Sequence, residues 1–174
     1  DRQSRYRPDE VVYVSLGEGA TSEDEFWEAL NTVCSKKLPV LILVEDNGYA
    51  ISVPVEFQTP GGDISRLLSS MPSLHIASCD GTDFFASLRA MRDAVSYVRT
   101  RQGPALVHAH VVRPYAHSYS DDEKLYKPPA ERDAESKRDP LKRFAEWLRA
   151  ESLATPDELA EIGAAVSAEI EDAL

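Results

Sequence analysis

Two short clusters carry the oxygen atoms and backbone freedom that an anionic, metal-bound ligand would need. Gly17-Glu18-Gly19-Ala20-Thr21-Ser22 falls between an apolar run and a helical pattern. Asp46-Asn47-Gly48-Tyr49 closes the next apolar run, with 26 residues between Gly19 and Asp46. Glycines between a strand and a helix let backbone N–H groups approach a diphosphate, and the helix dipole favours the negative charge. Glu18 offers a carboxylate oxygen, Asn47 an amide oxygen, and the turn after Asn47 a backbone carbonyl. These are hard ligands of the kind magnesium takes, with phosphate oxygens and water completing six. Two other readings stand beside this one. The glycine pair could serve only a tight turn. It could also open a dinucleotide fingerprint, but that pattern needs glycine where Ser22 stands, and an acid about 20 residues on, earlier than Glu45 and Asp46.

A third cluster is Arg113-Pro114-Tyr115-Ala116-His117-Ser118-Tyr119-Ser120-Asp121-Asp122. A histidine in a polar loop usually faces solvent. This one leaves the expected sheet at the same edge as Glu18 and Asn47, and an imidazole near neutral pKa suits proton transfer. His108 and His110 are two apart on a strand and so face one side. With no third ligand apparent, they are expected to pack or to support the site from behind. Cys34 and Cys79 show no metal-type spacing and are expected as buried, reduced thiols, which fits a reducing cytoplasm.

The elements that must position these residues follow from period and punctuation. Val11 to Leu16 reads as a buried strand, and a helix is expected from about Ser22 to Lys36, capped by Thr21 or Ser22, with Phe26, Leu30, Val33 and Cys34 inward. Val40 to Val44 is apolar on both faces, as a central parallel strand should be. A loop from about Asp46 to Asp63 and a short helix near Ile64 to Ser70 come next. His75 to Cys79 is a third strand. Thr82 or Asp83 caps a helix to about Thr100 with Phe84, Leu88, Met91, Val95 and Val98 inward, and Ala105 to Val112 is the fourth strand. This alternation predicts an α/β fold, a three-layer parallel sheet with helices on both faces and right-handed crossovers. Arg113 to Arg138 reads as a long irregular, functional loop. Two helices end the chain, opened by Asp139-Pro140 and Thr155-Pro156. The first uses Leu141, Phe144, Trp147 and Leu148, the second Leu159, Ile162, Val166 and Ile170. The expected division is an α/β domain over residues 1–138 and a helical extension over 139–174.

Composition narrows the function classes. The 174 residues carry a net charge of −11, which argues against an electrostatic grip on nucleic acid or an anionic membrane. No apolar run approaches the ~20 residues of a membrane span. The chain opens at Asp1 in a polar, Arg-rich stretch, and is expected to be part of a longer polypeptide.

Gly17-Glu18-Gly19 followed by Asp46-Asn47 resembles the thiamine diphosphate signature, GDG followed by NN. The flanks Gly19-Ala20-Thr21-Ser22-Glu23, Leu38-Pro39-Val40 and Asn47-Gly48-Tyr49-Ala50-Ile51-Ser52 with Pro54 are similar to the α subunit of α2β2-type 2-oxo acid dehydrogenase E1 enzymes. The resemblance implies thiamine diphosphate and Mg2+ as cofactors. Glu18 and Asn47 would bind the metal through side chains and Tyr49 through its carbonyl. Gly17, Gly19, Ala20, Ala50, Ile51 and Arg113 would line the cofactor. The segment around His117 is similar to the E1 phosphorylation loop, so His117 matches the family's active-site histidine, assisting acylation of the lipoyl group. Ser118 matches a position phosphorylated in mitochondrial enzymes.

Two departures bear on substrate and ligation. Glu18 replaces the usual Asp, as in branched-chain (2-oxoisovalerate) E1 α subunits, and tilts the substrate class that way. Asp46 replaces the first Asn and is expected in a turn or supporting role. The resemblance further implies an E1 β subunit or fused β-type domain, an α2β2-like assembly, and the lipoyl domain of E2 as partners. No segment resembles the pyrimidine-binding domain that supplies the activating glutamate, so this chain alone is expected to be inactive. Pyruvate or acetoin dehydrogenase E1, and a non-catalytic assembly domain, are the alternatives; the His117 loop speaks against transketolase.

Overall fold

The computed structural model describes residues 7–174; the polar opening read in the sequence lies largely outside them. Four strands, β1 (Val12–Gly17), β2 (Val40–Asp46), β5 (His75–Asp80) and β6 (Ala105–His110), form one parallel sheet in the order β1-β2-β6-β5. Helices lie on both faces. On one, Phe26, Leu30, Val33 and Cys34 of α1 (Asp24–Lys36) and Ile64 of α2 (Ile64–Leu67) pack with Ile42, Val44 and Leu106. On the other, Ala94 and Val98 of α3 (Phe84–Arg99) pack with Leu41, Ala105 and Val107. This is the expected three-layer architecture. Among the described residues no helix is long and apolar enough to cross a membrane.

Several elements depart from the sequence reading, each for a physical reason. β1 was expected buried, yet Val12 and Tyr13 are 56% and 53% exposed, because β1 is an edge strand paired only with β2. α1 starts at Asp24, not Ser22. Residues Glu18–Ser22 form a 3-10 turn, and Glu23 stands at the N-cap without a side-chain cap bond. Thr21 instead donates its hydroxyl to the Glu18 carbonyl at 2.6 Å, so neither Thr21 nor Ser22 caps α1. At its other end Lys37 turns left-handed (φ 48°), and Leu38 N–H bonds back to Val33 O, a Schellman-like stop.

α3 is capped by Asp83 as expected, its carboxylate accepting from Ala86 N. The buried face is rotated, however. Ala90, Met91, Ala94, Val95 and Val98 meet the sheet, while Phe84 and Leu88 are turned outward. The small alanines let the helix lie close to the strands. Phe84 instead stacks on Phe144 of α5 (Pro140–Ala150), with ring centroids 4.4 Å apart, and Phe85 meets Trp147 at 4.5 Å.

The loop from Asp46 holds a small antiparallel hairpin, β3 (Tyr49–Ala50) with β4 (Val53–Pro54). The expected irregular stretch from Arg113 contains a 3-10 turn (Glu123–Leu125) and α4 (Pro129–Ser136). Asp139 and Thr155 cap α5 and α6 (Pro156–Ala173), the latter in a full capping box with Glu158. The apolar stripe of α6 does not enter the core: Ile162, Val166 and Ile170 are all at least half exposed, and Leu141 of α5 is exposed too. Cys34 is buried and Cys79 half-buried, both free.

Candidate active site

Parallel pairing brings the strand ends level. Gly17 lies opposite Glu45, and Asp46 lies opposite His110, which also lies opposite Asp80. The residue after each strand therefore opens onto one edge, where parallel sheets bind ligands.

Glu18, the first residue beyond β1, is 1% exposed. Its Oε2 accepts the Asn47 backbone N–H at 3.2 Å and the Asn47 amide at 3.5 Å. Its Oε1 is buried with no partner, and so is Asn47 Oδ1. Buried acceptors are normally satisfied, because an orphaned one forfeits its hydration without return. Two orphaned oxygens on adjacent side chains, one a carboxylate, fit a hard cation such as magnesium. Burial pushes the Glu18 carboxyl above its ordinary pKa, partly opposed by backbone N–H bonds, and a bound cation would restore the charged form.

The two glycines flanking Glu18 are not equivalent. Gly17 has ordinary extended geometry (φ −79°, ψ 163°), and a Cβ there would touch nothing closer than 4.0 Å. A Cβ on Gly19 would stand 2.6 Å from Ala50 Cβ, so Gly19 is required by the close approach of the hairpin. Gly48 is required for a different reason: its φ of +83° suits glycine.

The hairpin tip is tied to the third cluster. Ile51 adopts a left-handed conformation (φ 57°), uncommon for a β-branched residue. Its carbonyl accepts from Arg113 Nη1 at 2.9 Å, and Arg113 Nη2 donates to Tyr126 Oη at 2.6 Å. Tyr126 in turn donates to Asp121 at 2.6 Å, and Asp121 also accepts the His117 backbone N–H at 2.9 Å. Tyr49 is held on its outer side: its hydroxyl donates to Glu131 at 3.1 Å, and Lys127 Nζ lies 5.0 Å from its ring centroid while pairing with Glu135 at 2.6 Å.

The sequence itself matches a known family. The dehydrogenase E1 component profile fits residues 3–174. The chain belongs to the dehydrogenase E1 family. That family depends on thiamine diphosphate. The chain is similar to the pyruvate dehydrogenase E1 component subunit alpha of Mycoplasma pneumoniae, 30% identical over 94% of this chain and 45% of the relative. It is also similar to the human mitochondrial somatic form of that subunit, 32% identical over 95% of this chain and 42% of the relative. The chain thus spans somewhat less than half the length of these relatives.

Among the residues singled out in the sequence, Glu18, Gly19, Asn47, Gly48, Tyr49, Ala50, Ile51 and Arg113 are gathered in this E1 chain by the contacts above. Gly17 and Ala20, on either side of Glu18-Gly19, are exposed. His117 is also exposed, and it joins the cluster only through its backbone bond to Asp121.

Sequence reasoning missed what lies behind the turn. A third polar group does stand beside the two histidines: Asp46, 7% exposed, takes a hydrogen bond from His108 Nε2 at 2.8 Å, with His110 Nδ1 at 4.0 Å. Burial would raise the Asp46 pKa, but the bonds from His108 and Gly48 outweigh it and hold the carboxyl below its ordinary value. The signal lay in the parity of β2 and β6, which puts Val44 and Asp46 on the same face as Leu106, His108 and His110.

Proposed function

We propose that this chain forms the magnesium- and diphosphate-binding side of the active site in the E1 component of a 2-oxo acid dehydrogenase complex. The observation that carries this reading is the pair of buried, unpartnered oxygens on Glu18 and Asn47, at the sheet edge of a chain in a thiamine diphosphate-dependent family. In this reading Glu18 and Asn47 hold magnesium through their side chains and Tyr49 through its carbonyl. Gly17, Gly19, Ala20, Ala50 and Ile51 form the floor along the cofactor. When bound, thiamine diphosphate supplies a carbon nucleophile and an electron sink for loss of CO2 from the 2-oxo acid.

The chain's own residues do the rest. Glu18 would hold the cation that offsets the negative charge of the diphosphate. Arg113, fixed by Ile51 O and Tyr126, contributes positive charge on the same side. His117 would give a proton from its imidazole to the lipoyl sulfur freed when the S–S bond breaks and the acyl group passes to the other sulfur. A glutamate to face the aminopyrimidine would come from an E1 β subunit or a fused β-type domain, in an α2β2-like assembly.

For substrate, the Glu18 replacement supports a branched-chain 2-oxo acid such as 2-oxoisovalerate. A second reading, pyruvate, is favoured by the relatives' names. The test uses the full-length protein with its β-type partner: calorimetric titration of thiamine diphosphate with and without Mg2+, then turnover of 2-oxoisovalerate, pyruvate and 2-oxoglutarate with an artificial electron acceptor. Magnesium-dependent binding with 2-oxo acid turnover supports the proposal, and the ratio of kcat/KM values decides the substrate. Absence of cofactor binding would leave an assembly role.

A further inference from the structure

We propose that Asp46 and His108 act as a positioning pair, whose hydrogen bond sets the Asp46–Tyr49 turn in the shape that receives the metal ion. The proposal rests on the metal site argued above, and it assigns a task to two buried polar residues that the site itself does not use.

Asp46 is the last residue of β2, and each of its acceptor oxygens is committed. Its backbone carbonyl accepts Val111 N–H at 2.8 Å, anchoring it to the chain leaving β6. Its Oδ1 reaches two residues ahead to Gly48 N–H at 2.8 Å, and its Oδ2 takes His108 Nε2 at 2.8 Å. The neighbouring N–H, that of Asn47, goes to Glu18. Two successive N–H groups of the turn are therefore each gripped by a carboxylate. Once those N–H directions are set, so are the two peptide planes that flank Asn47 and aim its side chain. Gly48 O closes the turn from its far end, accepting Val55 N–H at 2.9 Å.

His108 is what keeps Asp46 in that rotamer. It is fully buried, and its second nitrogen lies 3.5 Å from Asp63 Oδ1, on the residue that caps α2. Because Nε2 faces a carboxylate oxygen that can only accept, Nε2 carries a proton. Without that donor the buried Asp46 oxygen would lose its partner, and the carboxylate would turn toward the polar edge and release Gly48.

The same residues with His110 could suggest a transition-metal centre, but the geometry points to hydrogen bonding. Two ligands on one tetrahedral zinc sit about 3.3 Å apart, given zinc–ligand bonds of about 2.0–2.1 Å, and Asp46 and His108 are at 2.8 Å. His110 is 47% exposed, and its Nε2 faces Ser78 Oγ at 3.2 Å.

The test exploits the difference between glutamine, whose amide nitrogen falls where Nε2 stood, and asparagine, whose amide falls nearer Nδ1. In the full-length enzyme with its partner, Mg2+ is titrated at saturating thiamine diphosphate, by calorimetry and by activity, alongside thermal melting without metal. His108→Asn should raise the Mg2+ half-saturation about 10–100-fold, while His108→Gln should stay within about threefold of wild type. Asp46→Val should match His108→Asn, and the double variant should be no worse than either single, because one interaction is lost in all three. The activity deficit should close as Mg2+ is raised. Equal Mg2+ binding by the asparagine and glutamine variants, whether both intact or both impaired, overturns the positioning role. Tight Zn2+ uptake by the wild type, lost in His110→Ala, overturns it in favour of a metal centre. A wild type that binds no Mg2+ with thiamine diphosphate overturns the functional reading itself, an outcome distinct from the others.

Discussion

Replacing Glu18 with Gln should move two measurements in opposite directions. The side chain is 1% exposed, with one oxygen bonded to Asn47 and the other unpartnered. Burial raises its pKa against the pull of the backbone N–H groups, so without a cation the charged form is held at a cost. A buried acceptor lacking a partner costs about 1–3 kcal/mol, and more when ionised. Gln keeps an oxygen for the Asn47 N–H and removes the charge, leaving an amide to bury in its place. The net gain in metal-free stability should be about 1 kcal/mol, or about 2–4 °C in Tm at this chain length. An acid whose folded pKa is raised destabilises the fold as pH rises through that pKa. The advantage of Gln should therefore vanish only in acid, below the ordinary carboxyl pKa, grow as pH rises, and be full above the raised folded pKa of Glu18. Magnesium affinity should fall more than about 100-fold, at least about 2.7 kcal/mol, because a ligand is lost and not merely its support. The assays are melting without metal across pH and calorimetric Mg2+ titration at saturating thiamine diphosphate. If Gln lowers metal-free stability as an ordinary core substitution would, or leaves Mg2+ binding intact, the reasoning from the orphaned oxygen is wrong.

Gly19→Ala should cost about 1–3 kcal/mol through the forced 2.6 Å contact with Ala50, and weaken cofactor binding, whereas Gly17→Ala should be tolerated; equal melting of the two variants would contradict this. Asp80, held near a pKa of about 2 against burial by bonds from Thr82, Arg143 and Arg138, should stabilise the fold above about pH 4, with that contribution lost as pH falls toward 2. At 43% exposure, solvent screening limits its worth to about 1 kcal/mol, and an Arg143→Ala acid melt that overlays wild type would remove the assignment. Chymotrypsin cleavage at Tyr115, Tyr119 and Leu125, all at least 80% exposed, should slow when thiamine diphosphate and Mg2+ give Arg113 and His117 an anion to organise around; unchanged cleavage rates would count against a cofactor-facing loop.

What could be read from the sequence was local or periodic. The alternation of apolar runs and amphipathic stretches was enough for a parallel sheet covered on both faces, because each pattern repeats within a few residues. The caps Asp83, Asp139 and Thr155 were legible for the same reason, since a cap bonds only two or three residues ahead. Even the meeting of Glu18 and Asn47 followed once the strands were parallel, as parallel strands must end at one edge. Tertiary structure alone decided the rest, because those features depend on strand order, register and close approach between distant segments. The order β1-β2-β6-β5 leaves β1 at an edge, with Val12, Tyr13 and Val14 exposed. The approach of the hairpin to Gly19, 31 residues away in sequence, makes that glycine and not Gly17 the constrained one. Asp46 and His108 are 62 residues apart, and the parity that puts them on one face leaves open that β2 and β6 are neighbours and in which register. That pairing turns an apparent departure from the signature into a bonded support for the turn, through a contact that exists only when both strands are in place.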